Sequence, residues 1–306
     1  MNRKIITGAI IVIIVLAIFS GCSHPVITAD RPLVVATNFA MYDFSRAVCG
    51  DKVQVKMAIA PGEESHDFEV TMSDISSLSK AIAVIYVGGE SDEWVEDVLE
   101  TMDSDKAKPA AFRAMDKVVL YKEDAFDEAI EEDEYDEHIW TSPKNAILIV
   151  KGISEMISGI LPEFSSYFED NAEKYIEELT RLDKEFSDLS SATKEVILAD
   201  RYPFKYLSVD YGIKFKAAFS GCTSNTEPTL SKVNELVRYV ANNDVKTIFI
   251  IEFSDGKTAE IISKETGARI ETLYSAHNVT EEDFNSGITY VDLMDHNIKV
   301  LKEVLK

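Results

Sequence analysis

The sequence predicts an α/β protein of two lobes, each a mostly parallel sheet flanked by helices, joined by one long rigid helix. Three observations carry this. Apolar runs of strand length alternate with amphipathic stretches of helical period, the pattern of successive βαβ units. At 306 residues the chain exceeds the roughly 100–200 of a single domain. A helical stretch at 162–189, with Tyr167, Phe168, Ala172, Tyr175, Ile176, Leu179 and Leu182 at helical intervals, runs about 28 residues, roughly 40 Å at 1.5 Å each. That reaches from one lobe to the other.

Taken in order, residues 1–21 place Arg3 and Lys4 ahead of an apolar run at 5–19 and then Ser20 and Gly21, the order of a secretory signal. The run is shorter than the ~20 residues that cross a bilayer. Residues 22–32 read as a polar tether ended by Pro32. In the N-terminal lobe, 33–161, strands are expected at 33–37, 53–60 and 82–87, and helices at 72–81, 93–102 and 143–160. The acidic run at 123–137 interrupts that lobe and is expected to be a solvated loop, because burying so many carboxylates is costly. Pro162 divides the helix before it from the linking helix, 162–191. In the C-terminal lobe, 192–306, strands are expected at 196–199, 215–219, 245–251 and 269–273, with helices at 230–242, 257–266 and 290–305.

A composition of 46% apolar and 28% charged residues excludes a disordered or low-complexity chain. With 31 Lys and Arg against 54 Asp and Glu, the formal charge of −23 repels a phosphate backbone, so nucleic acid is not an expected partner. Small cations are attracted by the same field.

Five histidines exist, so each can be weighed. His24 lies in the tether and His296 in the last helix. His66, His138 and His277 each follow a strand or sit in an irregular loop, where open α/β sheets place their ligands. None has the local spacing of a zinc finger or a zincin helix.

Several segments resemble motifs of the zinc/manganese-type ABC-transporter solute-binding lipoproteins. They are Pro61-Gly62 with His66-Asp67-Phe68-Glu69; Asp136-Glu137-His138-Ile139-Trp140-Thr141-Ser142-Pro143; Gly89-Glu90-Ser91-Asp92-Glu93-Trp94; Tyr211-Gly212; Glu227-Pro228-Thr229; and Tyr290-Val291-Asp292-Leu293-Met294. Phe19-Ser20-Gly21-Cys22 resembles the lipobox, which makes Cys22 the lipidated residue. The resemblance covers essentially the whole chain. It implies a lipid-anchored monomer on the extracytoplasmic face of a bacterial membrane, not an enzyme, that delivers a divalent ion to an ABC permease.

The resemblance also implies two metal ligands from each lobe. The first pair maps onto His66 and His138. The third maps onto Arg201, ahead of Phe204-Lys205-Tyr206, and an always-protonated guanidinium has no lone pair for a metal. Asp200 is the adjacent substitute, and Arg201 is then expected beside a carboxylate such as Glu227 or Glu252. The fourth maps within about one residue of His277. Three imidazoles with one carboxylate suit Zn²⁺ better than Mn²⁺, which favours oxygen. A zinc-dependent hydrolase is the rival from another class, with Glu63, Glu64 or Asp200 as base, but no nucleophile elbow, phosphate loop or zincin motif appears. A manganese receptor, an organic-solute receptor and an adhesin are the other uses of such a scaffold.

Overall fold

The computed structural model describes residues 31–64, 68–102, 108–123, 135–190, 194–219 and 228–305. Cys22, His24, His66, Cys222, Glu227 and most of the acidic run lie outside the described residues.

The N-terminal lobe is built from β1 (Leu33–Ala36), α1 (Phe39–Cys49), β2 (Gln54–Met57), α2 (Met72–Leu78), β3 (Ala83–Tyr86), α3 (Glu93–Thr101) and β4 (Ala110–Arg113). Its sheet is parallel, in the order β2-β1-β3-β4. Helices α4 (Pro143–Ile160) and α5 (Ser165–Ser187) follow. The C-terminal lobe repeats the plan with β5 (Glu195–Leu198), α6 (Lys205–Tyr211), β6 (Lys214–Ala217), α7 (Leu230–Asn242), β7 (Thr247–Ile250), α8 (Lys257–Thr266) and β8 (Arg269–Thr272), in the parallel order β6-β5-β7-β8. Helices α9 (Glu281–Ser286) and α10 (Tyr290–Leu305) close the chain. In each sheet the chain leaves the first strand toward one edge and later returns to its other side, which opens a crevice at the carboxyl ends of β1/β3 and of β5/β7.

Strand alternation divides the core into layers. Val34, Ala36, Ala83 and Ile85 face a large core shared with α1, α4, α5 and α10, while Val35, Val84 and Tyr86 face α2 and α3. The second sheet does the same: Val196, Leu198 and Phe249 join the shared core, and Ile197 and Ile248 meet α7 and α8. One continuous apolar core therefore crosses the lobe boundary.

Local signals explain where most elements begin. Pro143 sits in the first turn of α4, where its missing N–H costs nothing. Thr229 caps α7 by accepting from Lys232 N–H, and Gly267, at φ 76, ends α8 in left-handed backbone. The linking helix starts later than 162. Leu161, preceding proline, stands at φ −125 and ψ 68, outside helical space, so Pro162–Phe164 forms a 3₁₀ turn and α5 begins at Ser165. Helices α1, α6 and α9 and strand β4 are additions to the expected elements. Asn38 caps α1 through Met41 N–H, and Phe39, Ala40, Met41, Phe44 and Val48 bury one face of it.

Candidate metal centre

His138 lies just ahead of a 3₁₀ turn, Ile139–Thr141, that leads into α4, and is 1% exposed. Asp136 holds it twice. One carboxylate oxygen accepts the His138 backbone N–H at 2.8 Å and faces ring Nδ1 at 3.2 Å. A carboxylate only accepts, so it fixes the Nδ1–H tautomer and leaves Nε2 as the lone-pair donor. Tyr206, from the other lobe, donates its hydroxyl to the Asp136 carbonyl at 2.9 Å and so steadies this stretch.

The acidic stretch ahead of His138 is not uniformly solvated: Asp136 and Glu137 are both buried. They tolerate burial because donors meet them. Ser91 donates its hydroxyl to Glu137 at 2.5 Å and its N–H at 3.1 Å. Gly89 makes room for this, since a Cβ there would come within 2.3 Å of the Glu137 carboxylate. Asp92 lies beneath, accepting from Val87 N–H at 2.5 Å, Thr37 hydroxyl at 3.1 Å and Gly88 N–H at 3.4 Å. Burial, reinforced by the negative charge of Glu137, pushes the Asp92 carboxyl up to about 7.

His277 follows β8 and enters the same space from the C-terminal lobe. Its ring centre is 5.5 Å from that of His138, at 89°. Trp140 packs against both rings, 5.3 Å from His138 and 5.0 Å from His277, and donates its indole N–H to Ser275 carbonyl at 2.8 Å. An imidazole nitrogen about 2.0–2.1 Å from zinc puts its ring centre roughly 3.2 Å from the ion, so two rings at a tetrahedral angle have centres ~5.2 Å apart. The observed separation matches two imidazoles sharing one ion.

Although His277 belongs to the second lobe by sequence, its segment is bonded to the first. Phe39 N–H donates to His277 carbonyl at 2.9 Å and Gly62 N–H to Val279 carbonyl at 2.8 Å. Asn278 donates its side-chain amide to the carbonyls of Ala60 and Glu63, both at 2.8 Å.

The remaining site residues take other places. Asp200, at the end of β5, accepts the N–H groups of Arg201 at 2.8 Å and Ile251 at 3.4 Å, and burial raises its carboxyl. Among the described residues no three His, Cys, Asp or Glu side chains form a metal-holding group, so Asp200 does not complete one with His138 and His277. Arg201 pairs across the cleft with Glu64 at 3.1 Å. Glu252 directs its carboxylate at Ser275 and at the N–H of His277, and burial raises it too. Sequence reasoning passed over Asp136, Trp140, Tyr206 and Ser275 as parts of the site. The run from Asp136 to Trp140 lies inside one of the quoted histidine motifs, which was the available signal.

Fold and site together define a two-lobed α/β protein in which an imidazole from each lobe, His138 and His277, meets the other. The chain belongs to the ZnuA family, zinc-uptake complex component A, periplasmic, whose profile matches residues 34–304. It is 31% identical over 291 residues to the zinc-binding lipoprotein AdcA of Streptococcus pneumoniae, covering 92% of this chain and 58% of that protein. Thus the chain spans less than two thirds of that relative's length. The high-affinity zinc uptake system protein ZnuA of Bacillus subtilis is 29% identical over 289 residues, covering 90% of this chain and 88% of that one. The crystal structure of the Zn(II)-bound ZnuA-like domain of S. pneumoniae AdcA superposes with a TM-score of 0.76 at 31% identity, over 90% of this chain and 99% of that domain.

Proposed function

We propose that this chain is an extracytoplasmic receptor for a divalent metal ion, with zinc as its cargo, that hands the ion to an ABC permease and performs no catalysis. The single observation that carries the reading is the convergence of His138 and His277 from different lobes at a spacing that fits one shared ion. His66 is the third proposed donor; among the described residues Asp200 forms no three-donor group with His138 and His277, and its place as fourth donor is put to the test by substitution. An imidazole set, with His138 fixed by Asp136, favours zinc over manganese. The names of the pneumococcal and B. subtilis relatives, both zinc-binding or zinc-uptake proteins, support the same cargo. The leader at 1–21 and Cys22 are read as a lipoprotein signal and acylation site, which anchors the monomer to the outer face of the membrane.

Each ligand must carry a lone pair, so protons compete with the ion. Binding weakens as the pH falls, because a proton occupies the lone pair that each imidazole needs for the ion. Titration of the metal-free protein with zinc and with manganese tests the proposal. One zinc per chain is expected, and His138→Ala or His277→Ala should each lose more affinity than the roughly 10–100-fold typical of removing an outer partner. Asp200→Ala reports whether that carboxylate is the fourth donor. Zinc binding unaffected by both histidine variants rejects the reading.

A further inference from the structure

Two non-glycine residues beside the cleft hold left-handed backbone: Phe253 and Ala276, both at φ 60. Phe253 follows Glu252, and Ala276 precedes His277. A Cβ disfavours that conformation, so surrounding bonds must impose it. At Ala276, Glu252 supplies them. One of its oxygens accepts the Ser275 hydroxyl at 2.6 Å and the His277 N–H at 3.2 Å, and the other accepts the Ser275 N–H at 2.7 Å. On the opposite side Phe39 N–H clamps the His277 carbonyl at 2.9 Å.

We infer that Glu252 is a positioning residue, holding the turn of Ser275, Ala276 and His277 in its left-handed form so that the His277 imidazole is aimed at His138 before an ion arrives. The inference rests on the reading of His277 as a ligand. The bonds of Glu252 go to the backbone and to Ser275, so it acts on where His277 sits. A buried carboxylate is the group that suits the task, because three donors of one tight turn converge there; an apolar side chain would strand the N–H and hydroxyl of Ser275 and leave the His277 N–H only its 3.2 Å bond to the Ser275 hydroxyl. Held in advance, the ring gives up little freedom on binding, which is the general gain from preorganisation.

The test is equilibrium competition for zinc against a chromophoric chelator, using the full chain, with the thermal midpoint of the metal-free protein recorded for each variant. Glu252→Ala is expected to weaken zinc binding by roughly 10–100-fold. Glu252→Gln should lose less, since its amide oxygen keeps the Ser275 hydroxyl and His277 N–H while its amide nitrogen faces the Ser275 N–H. Ala276→Gly is the control for the backbone form. Glycine takes left-handed backbone at less cost than alanine and leaves the three Glu252 bonds in place, so the thermal midpoint and the zinc affinity should both hold or rise. If Glu252→Ala does not fold, Glu252→Gln decides alone. Wild-type affinity in Glu252→Gln, with the wild type itself binding zinc, overturns this inference and leaves the receptor reading standing. A wild type with no saturable zinc binding overturns both.

Discussion

In the N-terminal lobe the imidazole of His138 arrives from the irregular stretch before α4, while in the C-terminal lobe His277 follows the edge strand β8 directly. The two sheets share a strand order, so the scaffold alone does not dictate where a ligand comes from. Their polar surroundings differ as well. Three buried carboxylates, Asp92, Asp136 and Glu137, gather at the N-terminal end. At the C-terminal end Asp200 and Glu252 share the space with Arg201, whose guanidinium reaches over to Glu64. The first end packs acidic side chains among donors, with Asp92 pushed toward its neutral form by burial. The second carries a cation that bridges the cleft. The contrast teaches that one lobe gathers acidic groups beside its imidazole and the other supplies a charged tie between the lobes.

The largest test of that contrast is Trp140, which is fully buried and touches both imidazoles. Its carbonyl accepts the Tyr290 hydroxyl at 2.6 Å, and its indole donates to Ser275, so it couples both ends. Trp140→Ala should cost about 3–5 kcal/mol of stability by denaturant unfolding, the usual range for truncating a buried aromatic. Trp140→Phe should keep most of the packing and lose the indole bond. A small loss for the alanine variant breaks the idea that this side chain fastens the ends together.

A smaller effect is expected at Asp92, and its sign follows from linkage. Its carboxyl is raised to about 7 in the folded protein against roughly 3.9 in the unfolded chain, so between those values the folded state holds a proton the unfolded state has released. Stability from this group is therefore full below about pH 4 and is lost as pH rises through about 7, by at most about 4 kcal/mol. Asp92→Asn mimics the protonated acid. Thermal midpoints of the metal-free variant across pH 4–8 should decline less steeply than those of the wild type. A slope unchanged by the substitution shows that the acidic end carries no such load.

The smallest effect concerns the cross-cleft pair. Arg201 and Glu64 have side chains 12% and 27% exposed, so solvent screens them only in part. A double-mutant cycle with Arg201→Gln and Glu64→Gln should give a coupling of about 0.5–1 kcal/mol in unfolding free energy. Zero coupling shows that Arg201 does not tie the two ends together.

How much of this was legible depended on whether the signal was local. Helices at 143–160, 230–242, 257–266 and 290–305 match the expected bounds because caps and apolar period mark them in the chain itself. Strand β4, Ala110-Ala111-Phe112-Arg113, lacks a β-branched run and forms because β3 offers it a parallel partner. The acidic run misled for the same reason. Asp136 takes its donors from His138 beside it, but nothing near Glu137 in sequence announces Ser91, 46 positions away, whose hydroxyl meets its carboxylate.

The sequence by itself determined the two-lobed α/β plan, the helix that links the lobes, and the three histidines worth weighing. Those are properties of period and residue type, which survive in one dimension. Only the tertiary structure decided that Arg201 meets Glu64 across 137 positions of chain, that Glu252 is spent on the His277 turn, and that His277 is stitched to the opposite lobe. Hydrogen bonds and ion pairs are chosen by proximity after packing. Many carboxylates compete for few cations in a chain of charge −23, so pattern alone cannot say which partner wins.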